Sequence, residues 1–186
     1  CDSKLTHFDK YSSMELDNLL QKFSQSIHSV CFTGGEPLMQ KDFLKRVLGI
    51  LKHRGMATYL ETNGTLYNEL KYVLEDVDII AMDFKLPSST GLGSLWNEHK
   101  KFLETAVNKE VFVKMVICHS TKEDDLDRAL RLIKSVEKDI PIVLQPNFFE
   151  ADIGLLKKIS DFQRIALDRL ADIRVIPQMH KFMNQK

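Results

Sequence analysis

The sequence predicts an α/β fold of parallel strands joined by crossover helices, and two features carry that expectation. Short β-branched or aromatic runs alternate with segments whose apolar residues recur at helical spacing, through the whole of 186 residues. One run, Val77 to Phe84, has an unbroken apolar centre, as a strand covered on both faces has. Such alternation closes either into a barrel of the TIM type or into an open doubly wound sheet, and periodicity alone leaves both open. A chain of this length is expected to form a single domain over residues 1–186 and to bury roughly 70% of its extended surface.

Taken in order, Ser13 to Ile27 places Met14, Leu16, Leu19, Leu20, Phe23 and Ile27 on one helical face, with Ser12 or Ser13 as N-cap and Glu15 in the first turn. Ser29 to Thr33 is a strand, Gly34-Gly35 breaks it, and Pro37 precedes a helix built on Phe43, Leu44, Val47, Leu48, Ile50 and Leu51, which Gly55 ends. Strand Ala57 to Glu61, helix Leu66 to Leu74 and strand Val77 to Phe84 follow. Helix Leu95 to Val107 leads to strand Val111 to Cys118, helix Glu123 to Val136 to strand Ile140 to Leu144, and helix Ile153 to Leu170 to strand Ile173 to Ile176. Pro87 to Gly93 is the one loose loop. The opening helix would need a strand of its own upstream, so the fold is expected to lack its first strand.

Composition narrows the function classes. Lys+Arg and Asp+Glu are both 26, which gives no charge excess for binding nucleic acid or an anionic membrane and leaves a small molecule as the expected ligand. No apolar run approaches the ~20 residues of a membrane span and no signal peptide is visible, so a cytoplasmic protein is expected. Cys1, Cys31 and Cys118 form no disulfide framework. Cys31, within a strand, is expected to be a small buried thiol. The chain begins at Cys1 rather than Met, so preceding residues are expected to be missing.

The candidate site comes from what ends each strand: Thr33-Gly34-Gly35-Glu36, then Glu61-Thr62-Asn63-Gly64, then Asp83 with Lys85, Cys118-His119, Gln145-Pro146-Asn147, and Pro177-Gln178 with His180. In a parallel barrel such ends share one face, where those folds place their chemistry. Each taken singly has an ordinary explanation, Asn63-Gly64 as a turn pair and His119 or His180 as a surface histidine. Taken together they describe one site. Adjacent glycines let a ligand approach bare backbone, and Glu36 sets an acceptor-only carboxylate beside it.

Cys1-Asp2-Ser3, Thr33-Gly34-Gly35-Glu36-Pro37-Leu38, Glu61-Thr62-Asn63-Gly64-Thr65, Asp83-Phe84-Lys85-Leu86-Pro87-Ser88-Ser89 and Pro177-Gln178-Met179-His180-Lys181 together resemble the radical S-adenosylmethionine enzymes and, among them, the 7-carboxy-7-deazaguanine synthase family of queuosine biosynthesis. The resemblance implies a partial (β/α) barrel, a 4Fe-4S cluster, S-adenosylmethionine and Mg²⁺. It implies that Cys1 is the last cysteine of the cluster loop, and that Ser3 supplies an oxygen to Mg²⁺. Asp2, Gly34, Gly35, Glu36, Thr62, Asn63, Asp83, Lys85 and Gln145 would line S-adenosylmethionine, while Thr33 and His180 would face a pterin substrate. The implied reaction converts 6-carboxy-5,6,7,8-tetrahydropterin to 7-carboxy-7-deazaguanine by radical ring contraction, a carbon–nitrogen lyase step. Its implied partners are a reductant such as flavodoxin or ferredoxin and a second copy of the chain.

The first two cysteines of the family's cluster loop are not in this sequence, and one thiolate does not hold a four-iron cluster. The chain is therefore expected to be an inactive fragment of a longer enzyme. Two other readings use the same residues: an activating enzyme for glycyl-radical proteins, which shares Gly-Gly-Glu-Pro, and a clusterless nucleoside-binding scaffold.

Overall fold

The computed structural model describes residues 9–22, 27–137 and 139–182. Its strands are β1 (Ser29–Phe32), β2 (Ala57–Thr62), β3 (Ile79–Asp83), β4 (Glu110–Ile117), β5 (Ile142–Pro146) and β6 (Ile173–Val175), and its helices α1 (Ser13–Leu20), α2 (Lys41–His53), α3 (Tyr67–Val73), α4 (Pro87–Thr90), α5 (Trp96–Ala106), α6 (Glu123–Val136), α7 (Ile153–Leu167) and α8 (Met179–Phe182). The six strands form one sheet in the order β1-β2-β3-β4-β5-β6, every neighbouring pair parallel. That order decides between the two topologies the sequence left open. A doubly wound sheet needs a point where strand order reverses, whereas right-handed crossovers without a reversal lay all the helices on one face. The architecture is a partial (β/α) barrel, with β1 and β6 as the outermost strands among the described residues.

Side-chain alternation then sorts each strand into a covered and an uncovered side. Leu60, Ile80, Met82, Val113, Met115, Ile117 and Leu144 pack with Leu48, Leu70, Phe102, Leu130 and Leu155 of the helices in one continuous core. The opposite side carries Tyr59, Glu61, Asp83, Phe112, Lys114 and Gln145, all half-buried. A smaller cluster of Val47, Leu51 and Met56, joined by Leu16 and Leu20, seats α1 on α2.

Several boundaries differ from expectation. The capping box forms as expected, with the Ser12 hydroxyl accepting from the Glu15 amide at 3.3 Å and the Glu15 carboxylate accepting from the Ser12 amide at 2.8 Å. The helix was expected to reach Ile27 but ends at Leu20; Phe23 lies outside the described residues. A 3₁₀ turn, Pro37–Gln40, precedes α2, and α4 occupies the first half of the expected loose loop, with Gly91 closing it at φ 68°. Cys31 is exposed, not buried, because it lies on the uncovered side of the sheet, its neighbours Val30 and Phe32 packing toward the helices. Desolvation and then the Glu61 carboxylate push its thiol up to about 11, so it stays protonated at neutral pH. No helix among the described residues is long and apolar enough to cross a membrane.

Leu48 of α2 is fully buried at the heart of the core, and its truncation leaves a cavity. Leu48→Ala is expected to lower unfolding stability by about 2–5 kcal/mol, against less than about 0.5 kcal/mol for Met39→Ala, Met39 being 78% exposed. Urea denaturation of the two variants checks this.

Candidate functional site

Glu36 organises the first strand end. It caps the 3₁₀ turn, its Oε1 accepting from the Leu38 amide at 3.2 Å, and the same oxygen accepts from the Thr62 hydroxyl at 2.8 Å. Its Oε2 accepts from the Asn63 amide at 2.8 Å. One carboxylate therefore ties the loop after β1 to the end of β2, with charge-assisted bonds that are about twice as strong as neutral ones. Before it, Gly34 and Gly35 adopt φ 86° and 53°, and a Cβ placed on either would meet nothing within 4 Å. Left-handed backbone with open space above it is a place where a ligand can touch the main chain. Thr33 donates from its hydroxyl to Glu61 Oε2 at 3.2 Å.

At the end of β2, Asn63 Oδ1 accepts from the Thr65 amide at 3.1 Å and from its hydroxyl at 2.6 Å, the pattern of an Asx turn. Gly64 sits at φ 67°, and a Cβ there would lie 2.5 Å from Met82 Cε. At the end of β3, Lys85 Nζ donates to Asp83 Oδ2 at 2.6 Å. The other oxygen, Asp83 Oδ1, is buried without a hydrogen-bond partner among the described residues. A buried acceptor left unmade costs on the order of 1–3 kcal/mol, so Asp83 is set to receive a donor.

The ends of β4 and β5 are bound to each other instead. The buried Cys118 donates its amide to Thr121 Oγ1 at 2.8 Å, and burial pushes its thiol up. Glu150 Oε2 accepts from the His119 amide at 2.7 Å and Glu150 Oε1 from Asn147 Nδ2 at 3.0 Å. His119 Nε2 lies 3.1 Å from Asp152, which caps α7 by accepting from the Leu155 amide. These groups fasten loops. Gln145 is half-buried on the uncovered side of β5, its Cα paired with Val116 of β4.

The structure thus brings Thr33, Gly34, Gly35, Glu36, Thr62, Asn63, Asp83 and Lys85 together at the ends of β1, β2 and β3, and places Gln145 two strands further on. Cys1, Asp2 and Ser3 lie outside the described residues, as does the side chain of His180, whose backbone belongs to α8. Two groups were not singled out from sequence. Lys114 shares the uncovered side with Glu61, itself read at the end of β2, by strand alternation, a signal legible once the strands are assigned. His99, on α5, is fully buried between the ends of β2 and β3; its only sequence signal is its place three and four residues before the core residues Phe102 and Leu103.

A sequential parallel partial barrel whose strand ends present a bare glycine turn, a carboxylate strut and an acceptor awaiting a donor has the architecture of a radical S-adenosylmethionine enzyme. The family model described as Radical SAM superfamily matches residues 1–153. The chain is 40% identical over 159 residues to the 7-carboxy-7-deazaguanine synthase of Geobacter sulfurreducens, covering 84% of this chain and 63% of that protein. It is 31% identical over 188 residues to the 7-carboxy-7-deazaguanine synthase of Thermoplasma acidophilum, covering 98% and 80%. Among solved structures, a domain of pyruvate-formate lyase-activating enzyme from Bacteroides vulgatus superposes with a TM-score of 0.66 over 81% of this chain and 99% of that one, at 14% identity, a likeness of fold alone. The chain belongs to the radical S-adenosylmethionine superfamily and, within it, to the family of the 7-carboxy-7-deazaguanine synthases. The activating-enzyme and clusterless-scaffold readings are set aside by those relatives.

Gly64 has no room for a side chain and a backbone that L-residues avoid. Gly64→Ala is expected to cost about 2–5 kcal/mol from left-handed strain and overpacking against Met82. Gly93, with open space around it and no positive φ, is the control: in thermal melts Gly93→Ala is expected to leave the midpoint nearly unchanged.

Proposed function

We propose that the protein converts 6-carboxy-5,6,7,8-tetrahydropterin to 7-carboxy-7-deazaguanine, and that the ends of β1, β2, β3 and β5 hold S-adenosylmethionine for that reaction. The observation that carries the second part is Asp83 Oδ1, a buried acceptor without a partner among the described residues, on the same row of strand ends as the open Gly34-Gly35 turn. The chain spans 63% of the length of the Geobacter relative, whose name supplies the product; the pterin substrate comes from the family resemblance.

S-adenosylmethionine carries donors as an ammonium, two ribose hydroxyls and an adenine amine, and acceptors as a carboxylate and ring nitrogens. The residues present fit that set. The backbone of Gly34 and Gly35 would take the ammonium, with the Glu36 carboxylate adding field while it keeps Thr62 and Asn63 in place. Asp83 Oδ1 would accept from a donor of the ligand, Lys85 would face an acceptor, and Gln145 offers both an acceptor and a donor. Thr33 and His180 would stand toward the pterin. Asp2 near the cofactor, Cys1 on the cluster and Ser3 on Mg²⁺ are assigned by the family resemblance alone. When bound, the cluster and S-adenosylmethionine would supply radical chemistry, the abstraction of a hydrogen atom from the substrate. The chain's own part is placement and exclusion: Ala81, Phe112 and Val143 on the uncovered side would help keep water from the bound reactants.

A one-electron reductant of the flavodoxin or ferredoxin class, a cytoplasmic location and a homodimer belong to the same reading.

With the whole natural protein, anaerobic turnover is expected to yield 7-carboxy-7-deazaguanine. Asp83→Asn is expected to raise the Kd for S-adenosylmethionine about 10- to 150-fold, the loss of a charge-assisted bond of ~1.5–3 kcal/mol. Its unfolding stability should move by less than about 1 kcal/mol, because the lost Lys85 pair is partly exposed. Unchanged affinity in calorimetric titration would remove Asp83 from the site.

A further inference from the structure

His99 is a buried titratable group that the proposed chemistry does not use. It reaches the site from a helix: its relative exposure is 0%, its Nδ1 lies 3.0 Å from the Gly64 carbonyl, and its Nε2 lies 3.1 Å from the Lys85 amide. The partners fix its state. A carbonyl can only accept, so Nδ1 carries the proton; a backbone amide can only donate, so Nε2 is bare. The ring also lies against Phe84, with centroids 4.3 Å apart, and Phe84 in turn against Trp96 at 5.8 Å, which leaves the imidazole little freedom to rotate.

We propose that His99 is a positioning residue for the cofactor site, a neutral imidazole that fixes the Asn63-Gly64 turn relative to Asp83 and Lys85 without touching the ligand. Glu36 already joins the loop after β1 to the end of β2, and His99 joins the end of β2 to the start of the loop after β3. The two links act in series, so three separate strand ends hold one geometry. The inference rests on the reading that those ends bind S-adenosylmethionine.

Protonation would break the second link, because an imidazolium has no acceptor for the Lys85 amide. The charged groups facing the ring are Asp83 of β3 and Glu98 of α5, which favour the charged form, and Lys85, which opposes it. Burial outweighs them and holds the histidine below its ordinary range. The neutral form is therefore favoured by folding. Its contribution is complete above the ordinary histidine pKa of ~6.5 and is lost as pH falls toward the lower folded value.

Three substitutions in the whole natural protein separate the roles. His99→Leu removes both bonds, His99→Asn keeps a donor for Gly64, and His99→Gln keeps an acceptor for Lys85. Nitrogen-15 spectra of the parent are expected to show the Nδ1–H tautomer, with the Gly64 and Lys85 amide signals moving together as pH falls. The Kd for S-adenosylmethionine is expected to rise roughly tenfold in His99→Leu and less in the two amide variants. It should also rise in the parent on the acid side, an effect that His99→Gln lacks. Should His99→Leu fail to fold, the amide variants and the parent's spectra decide. Folded variants that bind as the parent does, or an Nε2–H tautomer, would overturn the inference alone. A cluster-loaded parent that does not bind S-adenosylmethionine would overturn the cofactor reading on which it rests.

Discussion

The carboxylate of Glu36 is the contact on which the site's geometry depends. Parallel strands end in a row, but nothing in their ladder hydrogen bonds fixes the loops that leave them. Glu36 receives three donors, the Leu38 amide of its own turn and the Thr62 hydroxyl and Asn63 amide at the end of the next strand in that row. An ionised acceptor satisfied in this way is costly to disturb, since losing one partner leaves the rest of a half-buried charge less well solvated. The open turn at Gly34-Gly35 keeps its shape because the residue after it is anchored elsewhere. In the proposed reading the same carboxylate would also favour a bound ammonium through its field, so that structural and functional roles would coincide in one side chain.

The second constraint is the uncovered side of the sheet. Helices cover one face through the continuous core that includes Leu48, Phe102 and Leu130, and the other is left half-buried with Glu61, Asp83, Lys114 and Gln145 along it. Parallel sheets are rarely stable with one face in water. In the proposed reading, a ligand bound at the strand ends would cover part of that side. The polar groups there are spaced by strand register: Asp83 pairs with Lys114 across β3 and β4, and Val116 with Gln145 across β4 and β5.

Much of this was legible in the sequence, for reasons tied to particular residues. Strands whose apolar runs are bounded by Gly34-Gly35, Asn63-Gly64 or a helix cap were found to within a residue or two, because local turn chemistry sets their ends. The α1 boundary was not, since Phe23 and Ile27 continue a helical apolar pattern beyond the end of the helix at Leu20. Closure into a partial barrel was not legible from periodicity, because strand order is a long-range property; the motif resemblance supplied it. The exposure of Cys31 is not legible in the sequence, because nothing local says which side of β1 the helices leave uncovered. His99 was missed because a histidine among core residues of a helix looks like any packed side chain until its two nitrogens are seen to meet two different loops.

The central claim is that S-adenosylmethionine binds across the ends of β1, β2 and β3. Amide hydrogen exchange of the cluster-loaded protein, with and without S-adenosylmethionine, tests it most directly. Binding there is expected to slow exchange at residues 33–36, 62–65 and 83–86 and to change little at residues 118–121 and 147–152, whose groups are already engaged with one another. Protection centred on the latter segments, with none at the Gly34-Gly35 turn, would contradict it.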